Sequence, residues 1–543
     1  NVQWIDFRQH AGDFLTNFGE LTRTLASEPD HVKTHTRLLV RSREWDDANR
    51  DDSLLLRGKD LQRSLNWLDK AYDKDPRPIE LQQVYIKASE ELPRRRIKRR
   101  WVFANGALVG FAVACARLFG LTQGLELATY DHLLRMRANE LLDERVTIIS
   151  VDADSNRYVR DRIISGDYEP GIGTLPDEVL TQALTTLNQY DPRLIGIDFY
   201  RDYPAKPELA ELFENQPNII TVCKSAAADD QGNPVEGNTP APEIAQDQVG
   251  FSDFADDGGK YIRRHYLMQT PDEDYCPTSD AFNLVLARTY LEQADHTYYS
   301  PLEDGKYRYS MQVDDALIPW LNGTGGGYQA IDNQLEGYQS MLKFRVHEGS
   351  IERFAPIVPL RDVLEGNVPA EVIRDRMVLI GYTDRADTNA DLWDTPYGET
   401  FGIFLQGQKA SQIVSAVQDD RQLLWWWDIF VELLWIMAWS VLAGLIVWWL
   451  HSPRSLILAS LGAIAALYSI CWITMTQFSG WIPLVPPLFA MLITGLIVAA
   501  LNYRLRSGSA SLSDAVANLL AQLKSRFGSN PTSGLAPEAD ESL

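Results

Sequence analysis

Four long apolar runs divide the chain: Val102 to Thr122, Ile429 to Leu450, Leu456 to Gln477 and Trp481 to Asn502. Each comes close to the roughly 20 residues a helix needs to cross a bilayer core of about 30 Å, so four transmembrane helices are expected. Ahead of the first run the pattern is helical and amphipathic, over Leu15 to Leu25, Asp30 to Trp45, Leu54 to Tyr72 and Ile79 to Leu92, after a strand candidate at Val2 to Phe7. Asp51, Asp52 and Ser53 are cap candidates for the third of these helices, and Pro78 opens the fourth. From about Leu125 to Arg421, short β-branched runs alternate with helical patterns. Strands are predicted at Val146 to Asp152, Leu194 to Tyr200, Asn218 to Cys223, Met341 to Arg345 and Met377 to Tyr382, and helices at Asp177 to Asn188 and Ala281 to Glu292. This alternation predicts an α/β domain with a parallel or mixed sheet. Pro and Gly cluster at Asp229 to Pro242 and at Gly323 to Gly327, which read as surface loops.

Charge orients this pattern. Arg94 to Trp101 reads RRRIKRRW and runs straight into the first apolar run. A Lys/Arg cluster beside a span stays on the cytoplasmic side, which places residues 1–100 inside, a span at 101–122 and the α/β domain at 123–424 outside. Trp425 to Trp427 forms an interfacial belt before the spans at 425–450, 455–477 and 481–503. The basic turn His451 to Arg454 then lies inside, the uncharged Phe478 to Gly480 outside, and Tyr503 to Arg506 inside. The tail, 504–543, carries one helical stretch, Leu512 to Phe527, and then a composition that reads as disordered. The fold expected is a multidomain membrane protein with an all-α cytoplasmic N-terminal module, an α/β extracytoplasmic domain and four transmembrane helices.

With 51 Lys and Arg against 74 Asp and Glu, the net charge of -23 excludes a general role on nucleic acid. Four cysteines are too few for a disulfide-dense scaffold, and Cys115 and Cys471 fall inside apolar runs as small hydrophobes. Cys223 and Cys276 lie on the outer side, where an oxidising compartment permits a bridge. Whether they meet depends on a Cα separation below about 7 Å, which the sequence leaves open.

The segments IISVDADS (Ile148 to Ser155), LIGIDFY (Leu194 to Tyr200), VGFSDFADDGGKYIRRH (Val249 to His265), MVLIGYTDRADTNADLWDTPY (Met377 to Tyr397) and GIFLQGQKASQIVSAV (Gly402 to Val417) occur in order and are followed by three apolar runs. Together they resemble the CHASE type 2 family, an extracytoplasmic sensory domain of bacterial receptors, which implies residence in the bacterial inner membrane. Two departures bear on any transferred site: EPGIGTLPDE stands where a proline-tryptophan-proline-type stretch is expected before the Asp177 helix, and Gln406 and Gly407 replace a His common after the Gly402 strand. Further upstream, His35 to Trp45, Ser53 to Leu68 and Lys74 to Ser89 resemble the helical linker that follows toll/interleukin-receptor (TIR-like) effectors, and WIDFR (Trp4 to Arg8) is similar to the last strand of such an effector.

The chemistry of the outer domain rests on carboxylates. Asp152 and Asp154 close the first strand, Asp198 closes the next, and Asp391 and Asp394 follow a third. Strand ends of open α/β sheets hold ligand crevices, and oxygen ligands from several strands suit a divalent cation such as calcium or magnesium. The alternative is that each Asp caps a helix or closes a turn. Arg263 and Arg264 offer the opposite charge, either to an anionic ligand or to their acidic neighbours Asp256 and Asp257. Gly323 to Gly327 lacks the following Lys-Ser or Lys-Thr of a phosphate loop. The sequence shows neither a nucleophile and base pair nor a Cys/His metal spacing, so an enzymatic role is expected only of an upstream effector.

Within the spans, Arg117 lies 16 positions after Trp101, roughly 24 Å across the core and near its outer face. Glu432 and Asp428, four residues apart at the same depth, are its expected partners. The functional expectation is a homo-oligomeric receptor, embedded in the lipid bilayer, that senses an extracytoplasmic ligand or envelope condition and signals to a cytoplasmic N-terminal effector. Two alternatives are a docking subunit of a membrane assembly and an upstream effector that hydrolyses NAD.

Overall fold

The computed structural model of the chain describes residues 18–19, 22, 28–91, 97–171, 175–228, 233–292, 311–314, 316–321, 325–329, 337–386, 390–450 and 452–507. The strand expected at Val2 to Phe7, most of the helix at Leu15 to Leu25 and the tail helix at Leu512 to Phe527 fall outside these residues. The chain divides into two units, one of residues 112–436 and 463–488, the other of residues 1–111, 437–462 and 489–543.

The β-branched runs of the larger unit assemble into one six-stranded sheet. Its strands are β1 (Val146–Val151), β2 (Leu194–Asp198), β3 (Ile219–Cys223), β4 (Val249–Phe251), β5 (Ile357–Pro359) and β6 (Met377–Tyr382). The order is β5-β1-β6-β2-β3-β4, and every pairing is parallel. All residues of β1 and β3 are buried, as a parallel sheet covered on both faces requires, which is why these strands read as unbroken apolar runs.

Fourteen helices are described: α1 (Pro29–Asp47), α2 (Gly58–Lys70), α3 (Glu80–Glu91), α4 (Arg99–Leu118), α5 (Gln123–Arg135), α6 (Ala153–Ser165), α7 (Asp177–Asn188), α8 (Pro207–Asn215), α9 (Phe282–Glu292), α10 (Leu360–Leu364), α11 (Gly402–Gln418), α12 (Ile429–Trp449), α13 (Pro453–Phe478) and α14 (Val485–Ser507). The Gly402 segment, expected as a strand, is thus the start of a helix. In the larger unit, α9 and α11 pack on each other and on the sheet, while α6, α7, α8 and α10 form a second packed group.

A second departure concerns Met341 to Arg345. The strand here is Tyr338–Met341, antiparallel to Arg264–Met268, and the residues after it run buried without a strand partner. Glutamines of α11 replace the missing ladder: Lys343 N–H donates to Gln412 Oε1 at 2.7 Å and Arg345 N–H to Gln408 Oε1 at 2.8 Å. Residues four apart lie on one helix face, so both amides reach the same extended segment.

The glycine stretch also differs from expectation. Gly325 to Gly327 are buried rather than looped on the surface. A side chain at Gly327 would meet the Trp481 ring at 2.5 Å, so only a bare backbone lets the indole seat there. Trp481 is itself part of a short parallel pairing, Trp425–Trp426 with Gly480–Trp481, and the last apolar helix begins only at Val485. Glu126 of α5 caps that start, accepting from Leu484 N–H at 3.1 Å and Val485 N–H at 2.9 Å.

In the smaller unit, α1 to α3 share a core of Leu38, Trp45, Leu55, Leu56, Tyr85 and Ile86. Polar groups on the same faces are tied to backbone, with Tyr85 Oη donating to Leu54 O at 2.7 Å and Gln82 to His35 O at 2.7 Å. Four helices are long and apolar enough to cross a membrane: Arg99–Leu118, Ile429–Trp449, Pro453–Phe478 and Val485–Arg504. The first two meet where Gly106 and Gly110 face Val441 and Met437, and a Cβ at either glycine would come within 2.8 Å of the partner backbone. Such small-residue contacts are how apolar helices approach closely.

Candidate functional site

Helix α11 is the organising element of the site. Gly402 to Ala416 are all buried, yet the stretch carries Gln406, Gln408, Lys409, Ser411, Gln412 and Ser415. Burying polar groups demands partners. Gln408 and Gln412 serve the Leu342 to Val346 segment, Gln406 accepts from Asn283 Nδ2 at 2.9 Å, and Ser411 donates to Asp143 at 2.5 Å. Asn283 in turn meets His265 Nε2 at 2.7 Å, and burial holds that imidazole down at about 3, neutral across the working range.

Lys409 is the exception. It is 0% exposed, and its Nζ has no hydrogen-bond partner among the described residues. Instead the ammonium lies 3.9 Å from the centroid of Phe254, whose ring meets Trp393 edge-on at 4.7 Å. Burial pushes the lysine well below its ordinary value, opposed by Asp198 and Asp391.

Asp198 ends β2 and Asp391 precedes the hairpin of Leu392–Thr395 with Gly398–Phe401. Asp391 Oδ1 accepts from Trp393 Nε1 at 2.7 Å, and its carbonyl accepts Gly402 N–H at 2.9 Å, which sets a carboxylate at the N-terminus of α11. The other carboxylate oxygen rests where a side chain at position 402 would sit, so glycine is required there. Burial, then the neighbouring Asp391, raises Asp198 to about 8. Asp391 reaches solvent, and burial raises it against opposing contributions from Trp393 and Lys260. The result is a crevice at the C-terminal edge of the sheet with one lysine at its floor, two carboxylates on its walls and two aromatic rings over the lysine.

Asp152 and Asp154 do not join it. Asp152 caps α6 by accepting Ser155 N–H at 2.8 Å, and Asp154 is 71% exposed in a surface pair with Arg157. The side chain of Asp394 is exposed on the hairpin, where its backbone bonds to Lys260 and Ile262. Among the described residues no three His, Cys, Asp or Glu side chains are placed to hold a metal ion. The carboxylates of the first strand end are committed to a cap and a surface pair, so the expected divalent-cation crevice does not form.

Arg263 and Arg264 are likewise already occupied. Arg263 makes a bidentate pair with Asp131 of α5, at 2.8 and 2.7 Å, and reaches Asp257 at 2.6 Å. Arg264 donates to Asp257 at 2.9 Å and to Gln339 at 2.6 Å. Tyr261 and Tyr328 complete the cluster by donating to Asp131 and Asp257. These arginines tie the segment after β4 to α5, and no free guanidinium is left for an anionic ligand.

Cys223 and Cys276 are joined in a buried disulfide with a Cα separation of 5.3 Å. Arg117 lies 2.5 Å from Glu432 and also donates to the Gly326 carbonyl. Asp428 instead caps α12, accepting from Phe430 N–H at 2.9 Å. The residues that sequence reasoning missed are Lys409, Phe254, Trp393 and Asp131. The available signal was a lone lysine in an otherwise uncharged helix, GIFLQGQKASQIVSAV.

A parallel α/β domain with a strand-end crevice, flanked by helices long enough to cross a membrane, has the architecture of a membrane-associated recognition domain. The family model of the CHASE2 domain matches residues 108–445, more than half of the chain, and the chain belongs to this family of extracellular sensory domains. With its four apolar helices, it is a membrane sensory protein. Neither a curated protein nor a solved structure matches it.

Proposed function

We propose that the chain is a transmembrane receptor whose outer domain responds to a ligand or envelope condition in the crevice of Asp198, Asp391 and Lys409, and whose first span carries the change inward. One observation supports this reading above others. The segment Ser252 to Arg264 lays Phe254 over Lys409 at one end and grips Asp131 through Tyr261 and Arg263 at the other. Asp131 stands on α5, which directly follows α4, the first apolar helix. A ligand that displaces Phe254 therefore acts on the attachment of α5, and differential binding to two arrangements of this segment is the coupling a receptor requires.

In this reading the basic cluster before α4 keeps both termini in the cytoplasm, the outer domain faces the bacterial envelope, and α1 to α3 relay the signal to an N-terminal effector of the TIR-like kind, NAD hydrolysis being one activity it would bring. The working state is a homo-oligomer in the bilayer, because one signalling span acts most simply by changing the relation between copies.

Orientation is tested with single cysteines in a background lacking Cys115 and Cys471. Ile164 is 78% and Tyr72 54% exposed, so neither substitution disturbs packing. In intact spheroplasts a membrane-impermeant maleimide should label Ile164→Cys at once and Tyr72→Cys only after lysis. Labelling of Tyr72→Cys before lysis would overturn the topology.

A further inference from the structure

The charges of the crevice narrow what it holds, and this step rests on its being the ligand site proposed above. Lys409 presents three donors that no described residue accepts, in a place from which water is excluded. An unpaired buried polar group is costly, and so large a cost at a strand-end crevice marks a group kept for a partner outside the chain. The carboxylates of Asp198 and Asp391 act on Lys409 through space, yet neither forms an ion pair with it. Positive and negative groups therefore stand in one crevice without neutralising each other. Phe254 and Trp393 add an apolar wall, and Lys260 lies 5.6 Å over the Trp393 ring at the rim. Phe254 occupies the face of the ammonium that a ligand would take. It belongs to a stretch after β4 with no helix or strand pairing, so its ring can swing aside.

We infer that this crevice binds a small zwitterion of the α-amino-acid type, with its carboxylate on Lys409, its ammonium between Asp198 and Asp391, and its side chain against Trp393 and Phe254. A simple anion would leave the two carboxylates facing it, and a simple amine would meet Lys409 as a like charge. Only a molecule carrying both signs satisfies all three groups.

The test uses the full chain in detergent micelles and follows its unfolding temperature with glycine, L-leucine, L-phenylalanine, 3-phenylpropionate and 2-phenylethylamine as probes. At a hundredfold excess over Kd, at least one amino acid should raise the midpoint by about 5 °C, and the two single-charge analogues should bind at least tenfold more weakly. Lys409→Met should abolish the shift. Because that variant alters the core, Asp391→Asn, at a solvent-reaching position, provides a second reading and should weaken the amino acid at least tenfold. An equal shift with either single-charge analogue overturns the proposal, as does an unchanged shift in Asp391→Asn. A parallel panel of sugars, dicarboxylates and nucleotides separates the two levels. A saturable shift from one of these, lost in Lys409→Met, would overturn the zwitterion and leave the crevice as the ligand site. No shift from any probe would overturn both.

Discussion

Replacing Arg263 with methionine should detach the segment after β4 from α5. The Arg263 and Asp131 side chains are only 11% and 8% exposed, and Asp257 pairs with the same guanidinium. Methionine keeps most of the aliphatic bulk but leaves two carboxylates, Asp131 and Asp257, without their main countercharge. Removing one member of a buried ion pair costs about 3–5 kcal/mol, largely because the other charge stays buried. At roughly 2 °C per kcal/mol for a domain of this size, the midpoint should fall by about 6–10 °C. Near-UV circular dichroism of the full chain in micelles, followed in denaturant, measures the loss. Asp131→Asn alone should destabilise less, since an amide needs no countercharge. The double variant should then recover part of the sum, with a coupling of about 0.5–3 kcal/mol. A loss below about 1 kcal/mol, the value of an exposed pair, would show that Arg263 does not hold the segment. Additive single effects would refute the coupling as well.

Glu140 is held down at about 2 by Arg421 and Arg137, so its contribution is complete above about pH 4.5 and is lost as pH falls towards 2. Glu140→Gln should remove about 3 kcal/mol at pH 7 and nearly nothing at pH 2, which acid titration of the melting midpoint will show. Asp198 has the opposite sign: its folded value of about 8 lies above the unfolded one, so stability falls as pH rises from about 4 to 8. Asp198→Asn should therefore stabilise the domain at pH 8 by at least about 1 kcal/mol and flatten that slope, and a destabilised variant would count against the assignment of the crevice. In the membrane, Arg117→Ala should lower stability by about 3 kcal/mol and Glu432→Gln should partly restore it, since the second change removes the carboxylate left unpaired; equal losses in the single and double variants' thermal melts in nanodiscs would argue against that repair.

What the chain order determined by itself is everything that depends on local period and on solvent. Runs such as VTIISV and MVLIGY are apolar at every position because a parallel strand is covered on both faces, and they appear as β1 and β6 within a residue of where they read. The long apolar helices follow from length alone. Asp152 as a cap was legible for the same reason, because its partner is three residues away. The crevice was not. Lys409 comes from a helix first taken for a strand, Asp198 from a strand about 210 positions earlier, and Phe254 from an irregular stretch between them. No periodicity links these positions, and only the closing of α11 over the sheet brings them together. The same holds for Arg263, which reads as a free cation beside Asp256 and Asp257 until α5 brings Asp131 to its other side. Local sequence names the charged groups, but whether a charge is solvated, paired or left alone depends on which distant elements exclude water from it, and that is decided by tertiary packing.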